Sequence, residues 1–219
     1  MIDLDNLPTE WITTPDKSRA LTLDEMQNNA AMFTLYFARD LDAAVTLEWT
    51  PEAVAGILGN ITAESTINPS RWQNDTKPAE DVTDTGYGLV QWTPYTKYSE
   101  WAKDYESIWG PWENNGMLET ERIAYERKHD LQWIATDKFN FGFKDFTLMR
   151  ESPEYMAEAF LYDYERPENP AASVESRKTW AKYWYDNVVL PIYGGGESSL
   201  LIFYLHNYIF NCHDIRRFL

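Results

Sequence analysis

The 219-residue sequence predicts a mainly α (α+β) fold, in which a helical domain carries one small β-hairpin. Three observations predict it. Apolar residues recur every three or four positions in several stretches, Thr50-Pro51-Glu52 is a sharp helix-start signal, and a turn-rich segment at 73–88 runs into a short apolar stretch at 87–92.

Residues 1–23 mix Pro8, Pro15, Thr and acidic side chains without a sustained period, and read as an extended N-terminal arm. Over 23–41, Met26, Ala30, Phe33, Phe37 and Leu41 mark one face of an amphipathic helix. The next helix spans 51 to about 64. Thr50 caps it, Pro51 suits the first helical position, and Glu52 favours the positive end of the helix dipole. Val54, Ile57, Leu58 and Ile61 give it an apolar stripe, and Asn68-Pro69 stops it just after Glu64.

Asn74, Asp75, Pro78, Asp81, Asp84 and Gly86 are turn residues, so 87–92 is predicted as the second strand of a hairpin. Helical spacing returns after Thr93-Pro94 through Tyr98, Trp101, Ala102 and Tyr105 until Gly110-Pro111. Further helices are expected over 116–135, 153–164 and 174–190. The main domain is therefore drawn as 24–193. A Gly/Ser linker at 194–199 and an apolar tail at 200–219 follow it, and the tail's apolar run falls well short of the roughly 20 residues that a stable membrane span needs.

Composition narrows the function. The net charge of −16 repels phosphate backbones, so no nucleic-acid partner is expected. A glycan, recognised by hydrogen bonding and stacking, stays open, and the ten Trp, fourteen Tyr and ten Phe suit carbohydrate grooves as well as cores. Cys212 is the sole cysteine, which forbids an intrachain disulfide, and the N-terminus lacks a basic and apolar leader, so secretion is not expected. His129, His206 and His213, with Cys212 and Asp214, have no recognised metal-ligand spacing. Gly194 to Gly196 lack the context of a phosphate loop. Neither a metal nor any other cofactor is expected.

Two separated strings carry a resemblance. Gly56-Ile57-Leu58-Gly59-Asn60-Ile61-Thr62-Ala63-Glu64-Ser65-Thr66-Ile67-Asn68-Pro69, followed by Gly86-Tyr87-Gly88-Leu89-Val90-Gln91-Trp92-Thr93, resembles the phage tail-type lysozyme family, within the wider lysozyme and lytic transglycosylase superfamily. The likeness extends through 159–167 and covers about residues 24–190. It implies a lysozyme-like domain that cleaves β-1,4 bonds of bacterial peptidoglycan strands, with Glu64 as general acid and Ser65 supporting it by hydrogen bonding. Physically, the leaving oxygen must receive a proton, and nearby Ile61, Ile67 and Trp72 are placed to shield Glu64 from water.

By the same resemblance, Gln91 and Tyr87 would line the glycan groove; Tyr164 is a further candidate to touch substrate on its own position, because it ends a helix. Glu165 and Arg166 read as a structural pair pinning that helix end. A second catalytic carboxylate is open among Asp75, Glu80, Asp81 and Asp84, with Asp84 preferred because it lies nearest the strand. Glu64 acting alone, as in lytic transglycosylases, is the alternative chemistry. Other phage tail proteins are expected partners, and the virion, or the host cytoplasm before lysis, is the expected location. The rival reading is a non-catalytic tail-tip protein that binds wall glycan.

Overall fold

The computed structural model describes residues 1–15, 19–38, 49–79 and 81–194. The expected linker and apolar tail fall almost wholly outside them, as do the Cys212 cluster, Glu80 and residues 39–48. The architecture is mainly helical. Helix α1 (Leu23–Phe37) starts at a capping box, in which Thr22 caps the first turn and the Glu25 carboxylate accepts from the Thr22 amide at 2.8 Å. Helix α2 (Pro51–Ser65) starts as its sequence dictates, with the Thr50 hydroxyl accepting from Ala53 N at 3.2 Å, and ends at Thr66 in the left-handed region.

The sequence suggested an apolar stripe on α2, yet every residue from Ala53 to Thr62 is buried. It is the central helix, walled on several sides, so its polar positions find internal partners. Helices α3 (Thr96–Lys103), α4 (Glu106–Trp109), α5 (Gly116–Lys128) and α6 (Phe143–Leu148) follow it. Helix α7 (Pro153–Phe160) runs on into a π-helical turn at Leu161–Glu165. Helix α8 (Val174–Trp184) likewise passes through a π-helical turn at Tyr185–Val189 into α9 (Leu190–Gly194).

Close helix contacts are made on the glycines of α2. A Cβ on Gly56 would sit 2.6 Å from Met156 Cβ of α7, and one on Gly59 would sit 2.8 Å from Ala181 Cβ of α8 and closer still to the Arg177 carbonyl. Those neighbours are backbone or Cβ atoms, which cannot swing aside, so glycine sets the spacing that brings α7 and α8 against the end of α2.

Two sequence expectations change. The helix expected over 116–135 stops at Lys128, because Asp130 and Gln132 take positive φ and the chain turns to insert Trp133 among Phe143, Phe146 and Phe160. A loop delivers that apolar residue, so periodicity overran the helix. The expected hairpin is reduced to single antiparallel bridges, Trp72 to Tyr87 and Tyr87 to Trp92. Gly88 and Gln91 have positive φ, which folds 88–91 into a tight turn, and left-handed Asn74 and Asp75 bend the facing chain away before a ladder can extend.

The N-terminal segment lies against the domain. Asn29 of α1 clamps Ile12 with two hydrogen bonds of 2.8 Å, and Asn68 holds the Thr14 hydroxyl and the Arg19 carbonyl at 2.7 Å each. The Trp11 ring fills the space beside Gly116. Among the described residues, no helix is long and apolar enough to cross a membrane.

Candidate active site

Glu64 lies in the last turn of α2 and lines a cleft of about 440 Å³, together with Gln91 from the tight turn and Glu165 from the π-helical turn after α7. Its side chain retains 22% of its exposure, so most of it is shielded while part stays open to a ligand. Arg177 of α8 donates to Glu64 Oε1 at 2.5 Å and is itself only 6% exposed. That guanidinium is oriented in turn by Asn60, whose Oδ1 accepts from Arg177 Nη1 at 3.0 Å. The Asn60 amide donates to the carbonyls of Gly56 and Ala157 at 2.9 Å each. A rigid polar chain therefore leads from the contact between α2 and α7 to the Glu64 carboxyl.

The remaining wall is rich in side-chain amides. Gln73, Asn74, Gln91 and Gln132 all line the cleft, with Trp72 and Trp92 behind them. Gln91 Nε2 donates to the carbonyls of Arg71 and Gly88 at 3.0 and 2.9 Å, which fixes the amide and leaves its oxygen as the acceptor. Arg71 and Lys97 bring positive charge to a chain whose net charge is −16.

Of the catalytic and substrate-binding candidates named from the sequence, the cleft gathers Glu64 and Gln91. Ser65 is buried behind it, with its hydroxyl 2.9 Å from the Leu89 carbonyl and 3.1 Å from Ile61 O. It ties the end of α2 to the tight turn and makes no hydrogen bond to Glu64, the support expected of it. Tyr87 does not line the groove. It is fully buried, 4.4 Å from Trp72 between ring centroids, and its hydroxyl accepts from Asn114 N at 2.7 Å. Tyr164 is equally remote from solvent, at 1% exposure. It stacks on Phe160 and donates to Glu126 at 2.5 Å. These rings close the core beneath the site, where burying large flat faces is worth more than exposing them.

Asp84, Asp81 and Asp75 are exposed and do not line the cleft, and Asp75 pairs with Arg71, four residues before it. Loop carboxylates remain solvated unless packing forces them inward, so proximity to the strand did not bring Asp84 to the site. Arg166 does pin the helix end, through carbonyls of Gln132, Asp163 and Tyr164, but Glu165 takes no part in that clamp. Glu165 lines the cleft instead. Arg177 escaped sequence reading altogether, since a residue 113 positions from Glu64 in an ordinary helix leaves no local signal.

Behind the tight turn, Glu119 is fully buried and accepts from Leu89 N at 2.7 Å, and its carboxyl occupies the space a Cβ on Gly88 would need. Burial pushes its pKa well above the usual carboxylate range, with the Leu89 hydrogen bond opposing. Because the folded-state value is raised, the stabilisation it provides is complete below the unfolded value of about 4.5 and is lost as pH rises toward the folded value. Glu119→Gln is therefore expected to flatten the decline in stability above that pH, as read by urea unfolding at a series of pH values. An unchanged slope would remove Glu119 as its source.

A family model for the phage tail lysozymes matches residues 41–188. This chain belongs to the phage tail lysozyme family. The chain is also 38% identical over 190 residues to Morphogenesis protein 1 of Bacillus phage B103, an alignment spanning 84% of this chain and 44% of that relative. It thus spans less than half the length of the relative. The resemblance read from 56–69 and 86–93 therefore holds for a phage-associated, lysozyme-like helical protein, and both strings lie within the matched region.

Proposed function

We propose that this protein is a peptidoglycan glycosidase, a lysozyme-type hydrolase or a lytic transglycosylase, that cleaves β-1,4 bonds of the glycan strand with Glu64 as general acid. One observation carries the reading: a helix-terminal carboxyl, mostly shielded and oriented by a buried arginine, borders an amide-walled cleft. In the cleavage step the O–H bond of protonated Glu64 breaks and a new O–H bond forms on the glycosidic oxygen. The electron pair of the sugar C–O bond stays on that leaving oxygen, which departs as an alcohol. Water then attacks the sugar cation to give a reducing end, or the sugar's own hydroxyl attacks to give an anhydro end.

The wall suits this polymer chemically. Amides of Gln73, Asn74, Gln91 and Gln132 offer donors and acceptors to N-acetyl groups, and Arg71 and Lys97 complement the carboxylates of the sugar's lactyl group and stem peptide. The catalytic unit is residues 24–193. The family and the morphogenesis protein's name support a place in the virion with other tail proteins as partners, where the task is local opening of the wall. The host cytoplasm before lysis is the other location consistent with this chemistry.

Mass spectrometry of peptidoglycan digested by the protein tests the reading. Glycan fragments ending in reducing or anhydro sugars are expected. Products cut only in the stem peptide, or an inactive wild type that still binds wall, would overturn it in favour of a peptidase or a non-catalytic tail-tip protein.

A further inference from the structure

The cleft holds a second carboxyl besides Glu64. Glu165 sits at the end of the π-helical turn that follows α7, and its Oε1 is fully covered without a hydrogen-bond partner. An ionised oxygen in that position loses its hydration and gains no hydrogen bond in return, whereas a neutral carboxyl loses far less. The charges facing it are Glu64 of α2, Arg177 of α8, Glu126 of α5, and Arg166 beside it in the chain. Burial first, then Glu64, push Glu165 well above the usual carboxylate range, with Glu126 adding to this and the two arginines opposing it. Arg177 makes its hydrogen bond to Glu64, so one guanidinium serves two carboxyls.

We propose that Glu165 is a positioning residue that acts through Glu64: the two carboxyls together hold one proton at neutral pH, and that proton leaves through Glu64 to the glycosidic oxygen. The inference rests on the glycosidase reading above. It gives the site a reservoir for the proton, because two carboxyls facing one guanidinium in a largely covered cleft oppose full ionisation of the pair. The neighbouring acid keeps the pair from losing both. As the sugar C–O bond breaks, the pair gives up its proton to the leaving oxygen and becomes doubly ionised, with Arg177 balancing one charge. The attacking hydroxyl, from water or from the sugar, forms the new C–O bond and returns its own proton to the pair, which restores the starting state.

The test compares the pH dependence of kcat/KM on purified peptidoglycan for the wild type and Glu165→Gln. With the second acid gone, the alkaline limb is expected to move down by about one pH unit or more, so activity near neutrality falls roughly tenfold while acidic activity is largely kept. A variant slower at every pH with its limb unmoved would overturn the proposal and leave Glu64 as the cutting residue. Carbon-13 titration of the wild-type glutamate carboxyls decides the matter even if the variant does not fold. Glu64 and Glu165 should respond to the same two steps, one of them above the usual carboxylate range, and two independent ordinary titrations would overturn the pair. A wild type that cuts no glycan at any pH instead overturns the glycosidase reading, and with it any catalytic use of the pair, whatever the titration gives.

Discussion

Glu64→Gln is expected to lower glycan cleavage by roughly 10²- to 10⁴-fold, the range associated with losing a positioned general acid. The substitution keeps shape and volume, and the amide oxygen can still accept from Arg177, whose present contact is to Oε1 at 2.5 Å. The polar chain through Asn60 therefore has no reason to collapse, and unfolding free energy should change by less than about 1 kcal/mol. Only the transferable proton is lost. Product release from peptidoglycan, measured beside thermal unfolding, separates chemistry from folding. A variant that cuts at the wild-type rate would remove Glu64 from the mechanism, and a variant that fails to fold would give the carboxyl a structural role instead.

Glu126→Ala is expected to be the most destabilising change near the cleft. Glu126 is 1% exposed and accepts from three side chains: Trp92 Nε1 at 3.0 Å, Arg122 Nε at 2.8 Å and the Tyr164 hydroxyl at 2.5 Å. Truncation leaves an indole N–H, a phenol and a largely buried guanidinium without their acceptor. Removing one partner of such a buried network is typically worth about 3–5 kcal/mol, more than any surface ion pair in the protein would contribute. Because Trp92 and Tyr164 close the floor beneath the cleft, the remaining folded protein should also show weakened cleavage. Urea unfolding checks the first effect. A loss below about 1 kcal/mol would mean that water or rearranged side chains satisfy these donors.

The two predictions draw on residues of very different legibility. Local signals put Glu64 at a helix end, through a Thr50 cap, Pro51 at the start, an apolar run and a stop at Asn68-Pro69, and the resemblance carried by 56–69 and 86–93 singled it out as the acid. Gln91 was legible from the string around it, although the strand expected there is a tight turn. Tyr87 and Tyr164 have residue types equally suited to a groove and a core. Only the packing of Trp72, Trp112 and Phe160 around them decides for the core. Asp84 illustrates the converse: nearness in sequence to a cleft residue says nothing about whether a loop side chain turns inward.

By itself, the sequence determined where most helices begin, that the fold is mainly helical, the family, and the helix-terminal carboxyl at its centre. These follow from capping groups, hydrophobic spacing and a resemblance carried by two short strings, all of which act over a few residues and are written in order along the chain. Tertiary structure alone decided that Arg177 grips Glu64, that Glu165 enters the cleft while Asp84 does not, and that the aromatic candidates lie beneath it. Those contacts join α2 to α7 and α8 across about a hundred residues of chain through the close approach at Gly56 and Gly59. Coulomb forces and burial depend on distance in space, and the folded packing sets that distance.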